Sequence, residues 1–134
     1  MSSILIIDDN ISLLNSLRIL LKPEFDRVEI ANHPDKITTA LGVNEFDLVL
    51  LDMNFKAGRT EGNEGLFWLS KMKKINPDVV IILMTAYGDV ELAIEAIKRG
   101  AFDFIQKPWK TEKLITSLKA GLELRKSRKE LAGL

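Results

Sequence analysis

A chain of 134 residues, 46% hydrophobic and 28% charged, carries enough apolar matter for one globular domain with a real core and is cramped for two. Nineteen basic and nineteen acidic residues cancel, so no overall positive field draws the chain to nucleic acid or to an anionic membrane, and charge has to act locally. There is no cysteine, which excludes disulfides, thiolate nucleophiles and cysteine zinc sites and agrees with a reducing cytoplasm.

The opening "MSSILIIDDN" meets two aspartates within ten residues, too soon for the apolar region of a signal peptide, and no apolar run approaches membrane-spanning length. "SILIID" (Ser3 to Asp8) is the first expected strand. "NISLLNSLRILLK" then sets Leu13, Leu14, Leu17, Leu20 and Leu21 on one helical face, with Asn10 as N-cap and Pro23 as the stop. "RVEIA" (Arg27 to Ala31) predicts a second strand, and Pro34 to Leu41 a second helix. The lone His33, just before Pro34, is expected to be a solvated cap rather than a catalytic base. "FDLVLLD" (Phe46 to Asp52) predicts the third strand. It ends on a bare carboxylate and opens into "MNFKAGRTEGNEG", before a helix from about Glu64 to Ile75. "VVIILMT" (Val79 to Thr85), a helix from Asp89 to Arg99 punctuated by Gly100, "DFIQ" (Asp103 to Gln106) and a helix from Thr111 onward complete the series.

Strands that are apolar along most of their length and alternate with helices predict a five-stranded parallel sheet covered on both faces, a doubly wound α/β fold. Right-handed crossovers bring every strand's C-terminal end to one edge, where such sheets bind ligands near the switch in strand order. That edge should therefore gather Asp8 and Asp9 from the first strand, Asp52 from the third, Thr85 from the fourth and Lys107 from beyond the fifth. Taken singly, each residue is also readable as a solvated strand end, a turn residue or a surface lysine. Together they form a costly arrangement, since carboxylates about 4 Å apart repel by roughly 4 kcal/mol per pair at an effective dielectric near 20. An oxygen-only donor set favours a hard cation, Mg²⁺ in particular. A carboxylate beside Mg²⁺, a lysine and a hydroxyl is equipped to accept a phosphoryl group. Asp52 would be the nucleophile, Lys107 and the ion would neutralise the transferring oxygens, and Thr85 would donate to one of them.

"ILIIDDN", "LVLLDMN", "ILMTAYGD" and "DFIQKPW" together resemble the receiver domain of two-component response regulators, from Ser3 to about Leu124. The resemblance implies a flavodoxin-like (βα)5 fold and a phosphoacceptor at Asp52. It implies Mg²⁺ held by Asp9, by Asp8 (often through water), by Asp52 and by the backbone carbonyl of Asn54. It also implies phosphate contacts from Lys107, Thr85 and the Ala86 amide, a cis bond before Pro108, and a histidine kinase as phosphoryl donor. Thr85 and Phe104 would be the switch pair, Phe104 turning inward as Thr85 moves and altering the surface of the fourth helix, fifth strand and fifth helix; Phe104 also reads as a core aromatic.

"MTAYGDVELAIEAIKRGAFDFIQKPW" is most similar to receivers of NtrC-type transcriptional regulators, which act on sigma-54 polymerase through a AAA+ ATPase. That similarity implies C-terminal AAA+ and DNA-binding domains in a full-length protein, with residues 1–124 as receiver and 125–134 as an extension of the last helix. A stand-alone receiver acting by protein contact is the alternative. The pattern departs from the family in its loop, which has no Met-Pro pair and runs long from Phe55 to Gly65. Gly58, Gly62 and Gly65 do not form a nucleotide-binding loop, and Tyr87 is placed to gate hydrolytic water.

Ala120, Leu124, Ser127, Leu131 and Leu134 fall on a weak heptad that leaves a homodimer open. The basic cluster of Arg125, Lys126, Arg128 and Lys129 reads as a solvated face, and DNA binding by it is not expected without a recognition module. Trp68 and Trp109 read as packing residues. A haloacid-dehalogenase-type phosphatase would share the aspartate, lysine and Mg²⁺, but would need an acid where Asn54 stands. A receiver-like scaffold that never phosphorylates is the third reading. No enzyme activity of its own is expected.

Overall fold

The computed structural model describes residues 2–33, 46–53, 63–86 and 88–132. Five strands, β1 (Ser3–Ile7), β2 (Arg27–Ala31), β3 (Leu48–Asp52), β4 (Val80–Thr85) and β5 (Asp103–Gln106), form one sheet in the order β2-β1-β3-β4-β5, every pairing parallel. Four helices are present among the described residues: α1 (Ile11–Leu21), α2 (Asn63–Ile75), α3 (Val90–Lys98) and α4 (Thr111–Ala132). The helix expected from Pro34 to Leu41 lies outside the described residues, as do Asn54, Gly58, Gly62 and Tyr87. None of the described helices is long and apolar enough to cross a membrane.

The uninterrupted apolar runs have their explanation in burial on both faces. Every residue of β1, β3 and β4 is buried. Period-two alternation sorts their side chains into two clusters. Leu5, Ile7, Val49, Leu51, Met53, Ile81 and Leu83 pack with Leu66, Trp68, Leu69 and Met72 of α2 and Ala96 of α3. The intervening residues, Ile4, Ile6, Leu48, Leu50, Val80, Ile82 and Met84, pack with Leu14, Leu17 and Leu21 of α1 and Leu114 and Leu118 of α4. Trp68 is therefore a core residue, and Trp109 packs partly buried at the margin of the second cluster.

Local signals act where the chain turns. The Asn10 side chain accepts the Leu13 N–H at 3.1 Å and caps α1. Leu13 and Leu20 lie at the flanks of the buried stripe. Gly100 adopts φ +112° just after α3, in the left-handed region where a side chain is strained. β3 begins at Leu48 rather than at Phe46, and Asp47 just before it is tied to the start of β1 by side-chain as well as backbone bonds. Its N–H donates to the Ser3 carbonyl (3.2 Å) and hydroxyl (3.1 Å), and its carboxylate accepts the Ser3 N–H at 3.0 Å.

Two outcomes follow from this packing. A Cβ on Gly121 of α4 would lie 3.0 Å from Leu48, 3.2 Å from Val80 and 3.3 Å from Ile82. Gly121→Val should accordingly cost about 1–3 kcal/mol by overpacking, whereas in Gly121→Ala a helix-propensity gain of up to about 1 kcal/mol offsets a smaller misfit; urea midpoints of the two variants test this. Burial pushes the Asp47 carboxyl up, but the Lys129 hydrogen bond, the Ser3 N–H and the charges of Lys129 and Arg125 together outweigh it and hold the group below its ordinary 3.8. The stabilisation this brings is complete above the unfolded-state value and is lost as pH falls through the lower folded-state value. Asp47→Asn should therefore lose about 1–3 kcal/mol at neutral pH, and denaturation at stepwise lower pH should show the gap to the parent closing only below pH 3.8.

Candidate functional site

The strand order changes direction between β1 and β3, and the acids collect there. Asp52 is the last residue of β3, and Asp8 immediately follows β1. The β1–β3 register pairs Ile7 with Leu51, so one further step brings Asp8 level with Asp52. Both continue the run of alternate residues that faces α1 and α4 (Ile4 and Ile6; Leu48 and Leu50). Two carboxylates thus emerge side by side, each only 1% exposed. Asp9, half-buried, joins them, and one oxygen from each of Asp8, Asp9 and Asp52 lies within 4.8 Å of the others.

Lys107 resolves much of the repulsion. Its Nζ donates to Asp8 Oδ2 at 2.9 Å and to Asp52 Oδ1 at 3.2 Å. Burial alone would lower the ammonium's pKa, but Asp52 and Asp8 outweigh that and raise it above 10.5. The Lys107 N–H donates to the Thr85 carbonyl at 2.8 Å, which fixes the base of the side chain beside β4. The bond from Lys107 to Pro108 is cis, as the family resemblance implies. Asp8 Oδ1 also accepts the Asn10 N–H at 2.9 Å, so the residue that caps α1 ties that helix to the acid.

Thr85 closes β4 with no exposed surface, and its Oγ1 has no hydrogen-bond partner among the described residues. A buried hydroxyl without a partner is costly, so Oγ1 is available to a group that enters the site. Thr85 continues the alternate set containing Ile81 and Leu83. Phe104, paired in register with Leu83, packs partly buried on the same cluster. Ala86, next along, is exposed at the mouth. A groove of about 520 Å³ lined by Leu13, Ala86, Lys107, Pro108 and Trp109 opens beside the acids.

Asp8, Asp9, Asp52, Thr85 and Lys107 thus all reach the C-terminal edge of the sheet. Asn54 lies outside the described residues, and His33 is exposed at the end of β2. The bridging of Asp8 as well as Asp52 by one ammonium was not legible in the sequence, where the lysine was matched to transferring oxygens alone; the excess of carboxylates over cations at that edge was the available signal. The donor set suits a hard divalent cation, since three carboxylates converge within 4.8 Å of one another and every donor among them is an oxygen.

Known proteins agree with this geometry. The response regulator receiver domain family matches residues 4–119. The transcriptional regulatory protein ZraR of Klebsiella oxytoca is 36% identical over 119 residues, covering 89% of this chain and 26% of ZraR. The nitrogen assimilation regulatory protein NtrX of Azorhizobium caulinodans is 30% identical over 128 residues, covering 96% of this chain and 28% of NtrX. The chain thus spans about a quarter of the length of these curated relatives. Among solved structures, the N-terminal signal receiver domain of a two-component system response regulator from Bacteroides fragilis superposes with a TM-score of 0.81 at 40% identity, covering 91% of this chain and 97% of that one. The chain belongs to the response regulator receiver domain family, with NtrC-type regulators among its relatives.

Proposed function

We propose that this receiver domain accepts a phosphoryl group on Asp52 from a histidine kinase and converts it into a change of the surface formed by α3, β5 and α4. The observation that carries the reading is the Lys107 ammonium shared between two almost fully buried carboxylates, with a third carboxylate completing an oxygen-only cluster.

Asp52 needs no base, because a carboxylate beside an ammonium is ionised at neutral pH. One of its oxygens attacks phosphorus in line, the phosphorus–nitrogen bond of the phosphohistidine breaks, and the departing imidazole takes a proton from water. The product is an acyl phosphate. Asp8, Asp9, Asp52 and the Asn54 carbonyl would hold Mg²⁺, which when bound supplies positive charge against the phosphoryl oxygens. Lys107 then exchanges part of its hold on Asp52 for a phosphoryl oxygen while keeping Asp8. The Thr85 hydroxyl and the Ala86 N–H donate to the remaining oxygens. Thr85 is suited to this because its Oγ1 gives up no existing bond among the described residues.

The switch follows from the shared face. Thr85 and Phe104 stand on the same side of neighbouring strands, so movement of the threonine toward the phosphoryl group alters the space beside the ring. Moving a two-state equilibrium from 1:99 to 99:1 takes about 5.5 kcal/mol, within reach of a few charge-assisted hydrogen bonds. Residues 1–124 form the receiver in this reading and 125–134 extend its last helix. The relatives ZraR and NtrX support an NtrC-type context, in which the receiver controls C-terminal AAA+ and DNA-binding domains.

Incubation with acetyl phosphate and Mg²⁺ should add one phosphoryl mass to the intact protein. Asp52→Ala, or removal of the metal with a chelator, should abolish it; inertness of the parent protein would support a non-phosphorylating scaffold, and steady turnover of phosphomonoesters a phosphatase. Thr85→Val keeps the side-chain shape and removes the donor. It should still take up phosphoryl groups but lose most of the phosphoryl-dependent chemical-shift changes in α3, β5 and α4. Equal shifts in the variant and its parent would remove Thr85 from the switch.

A further inference from the structure

The edge of the sheet opposite the acids holds a third buried carboxylate, Asp47, and its cations come from the last helix. Asp47 directly precedes β3, and its side chain is 6% exposed. Oδ2 accepts the Ser3 N–H at 3.0 Å. Oδ1 meets Lys129 Nζ at 2.7 Å and lies 3.6 Å from Arg125 Nε. In the turn between α2 and β4, the Asp78 carbonyl accepts from Arg128 Nη1 at 3.0 Å and from Arg125 Nη1 at 3.3 Å. Lys73 Nζ holds the carbonyls on either side, Pro77 at 2.8 Å and Val79 at 3.2 Å. Three cations of α4 thus close on one carboxylate and one carbonyl of the domain body.

The Asp47–Arg125 contact differs from the exposed pairs that stabilise little, whereas the Lys129 contact and the bonds to the Asp78 carbonyl lie on the solvent side. The Arg125 side chain is 12% exposed, and its buried Nε, turned toward Asp47, has no hydrogen-bond partner among the described residues. Losing Asp47 would leave buried positive charge uncompensated. Apolar packing does not hold the same turns, because among the described residues Leu124 is the last of α4 packed on the core and Leu131 is 70% exposed. The final turns of a helix otherwise fray.

We propose that Asp47 and the Asp78 carbonyl form a clamp that fixes the last two turns of α4 to the N-terminal edge of the sheet, making the 22-residue helix one rod that moves with the domain body. At about 1.5 Å per residue the rod is roughly 33 Å long. It starts three residues after Pro108, on the side of the acids, and ends beyond the clamp. The last turns therefore keep a fixed place on the domain body instead of moving as a loose tail. The clamp itself does not rest on Asp52 being a phosphoacceptor.

Backbone amide hydrogen exchange of the 134-residue chain, followed by nuclear magnetic resonance, tests this. Lys129→Ala and Arg128→Ala remove one cation each, leave the core intact and do not lower helix propensity. Each should accelerate exchange of amides 127–131 by roughly two- to fivefold, the factor expected when one partly exposed charge contact is lost, with amides 112–122 unchanged. Asp47→Asn should accelerate amides 127–131 more than those of β3. Tail amides at the parent rate in both alanine variants would overturn the clamp, as would acceleration spread evenly over α4 or an Asp47→Asn effect no larger in the tail than in β3.

Discussion

One ammonium group makes the acidic edge possible. Asp8 and Asp52 are side by side with almost no access to water, and two like charges so placed repel strongly unless a cation stands between them. Lys107 bonds to each. Its position depends on β5 lying next to β4, whose final carbonyl receives the Lys107 N–H. Asp9 brings a third carboxylate to the same point, and a cluster whose donors are all oxygens is one that a hard divalent ion suits.

The sheet sets the division of labour at that edge. Alternation along parallel strands sends Asp8 and Asp52 toward α1 and α4, and Thr85 and Phe104 toward α2 and α3. The acids and the Thr85–Phe104 pair thereby occupy opposite faces of one sheet while remaining neighbours at its rim, the arrangement on which the proposed switch rests.

The zero net charge conceals a polarity between the two rims. At one rim Asp8 and Asp52 share the Lys107 ammonium. At the other, Arg125 and Lys129 meet Asp47, while Arg125, Arg128 and Lys73 hold the turn carbonyls of Pro77, Asp78 and Val79. A long helix joins the rims, its first residues near Lys107 and its last turns against Asp47.

The sequence by itself determined the strands, the sheet type and the identity of the acidic edge. Runs such as "VIILMT" are apolar at every position because both faces are covered, and in a parallel sheet topology then carries Asp8, Asp52, Thr85 and Lys107 to one rim whatever the details of packing. The Asn10 cap was legible because its bond is local. Only the tertiary structure decided the phase of α4 and the start of β3. The weak heptad through Leu124 and Leu131 and the basic cluster looked like a seam and a solvated face, yet Leu124 packs on the domain's own core while Arg125 and Lys129 turn to Asp47. Which face of a helix meets a sheet depends on the partner it docks against. Asp47 and Lys129 have no local pattern to link them, so their bond became visible only when folding brought the two ends of the domain together.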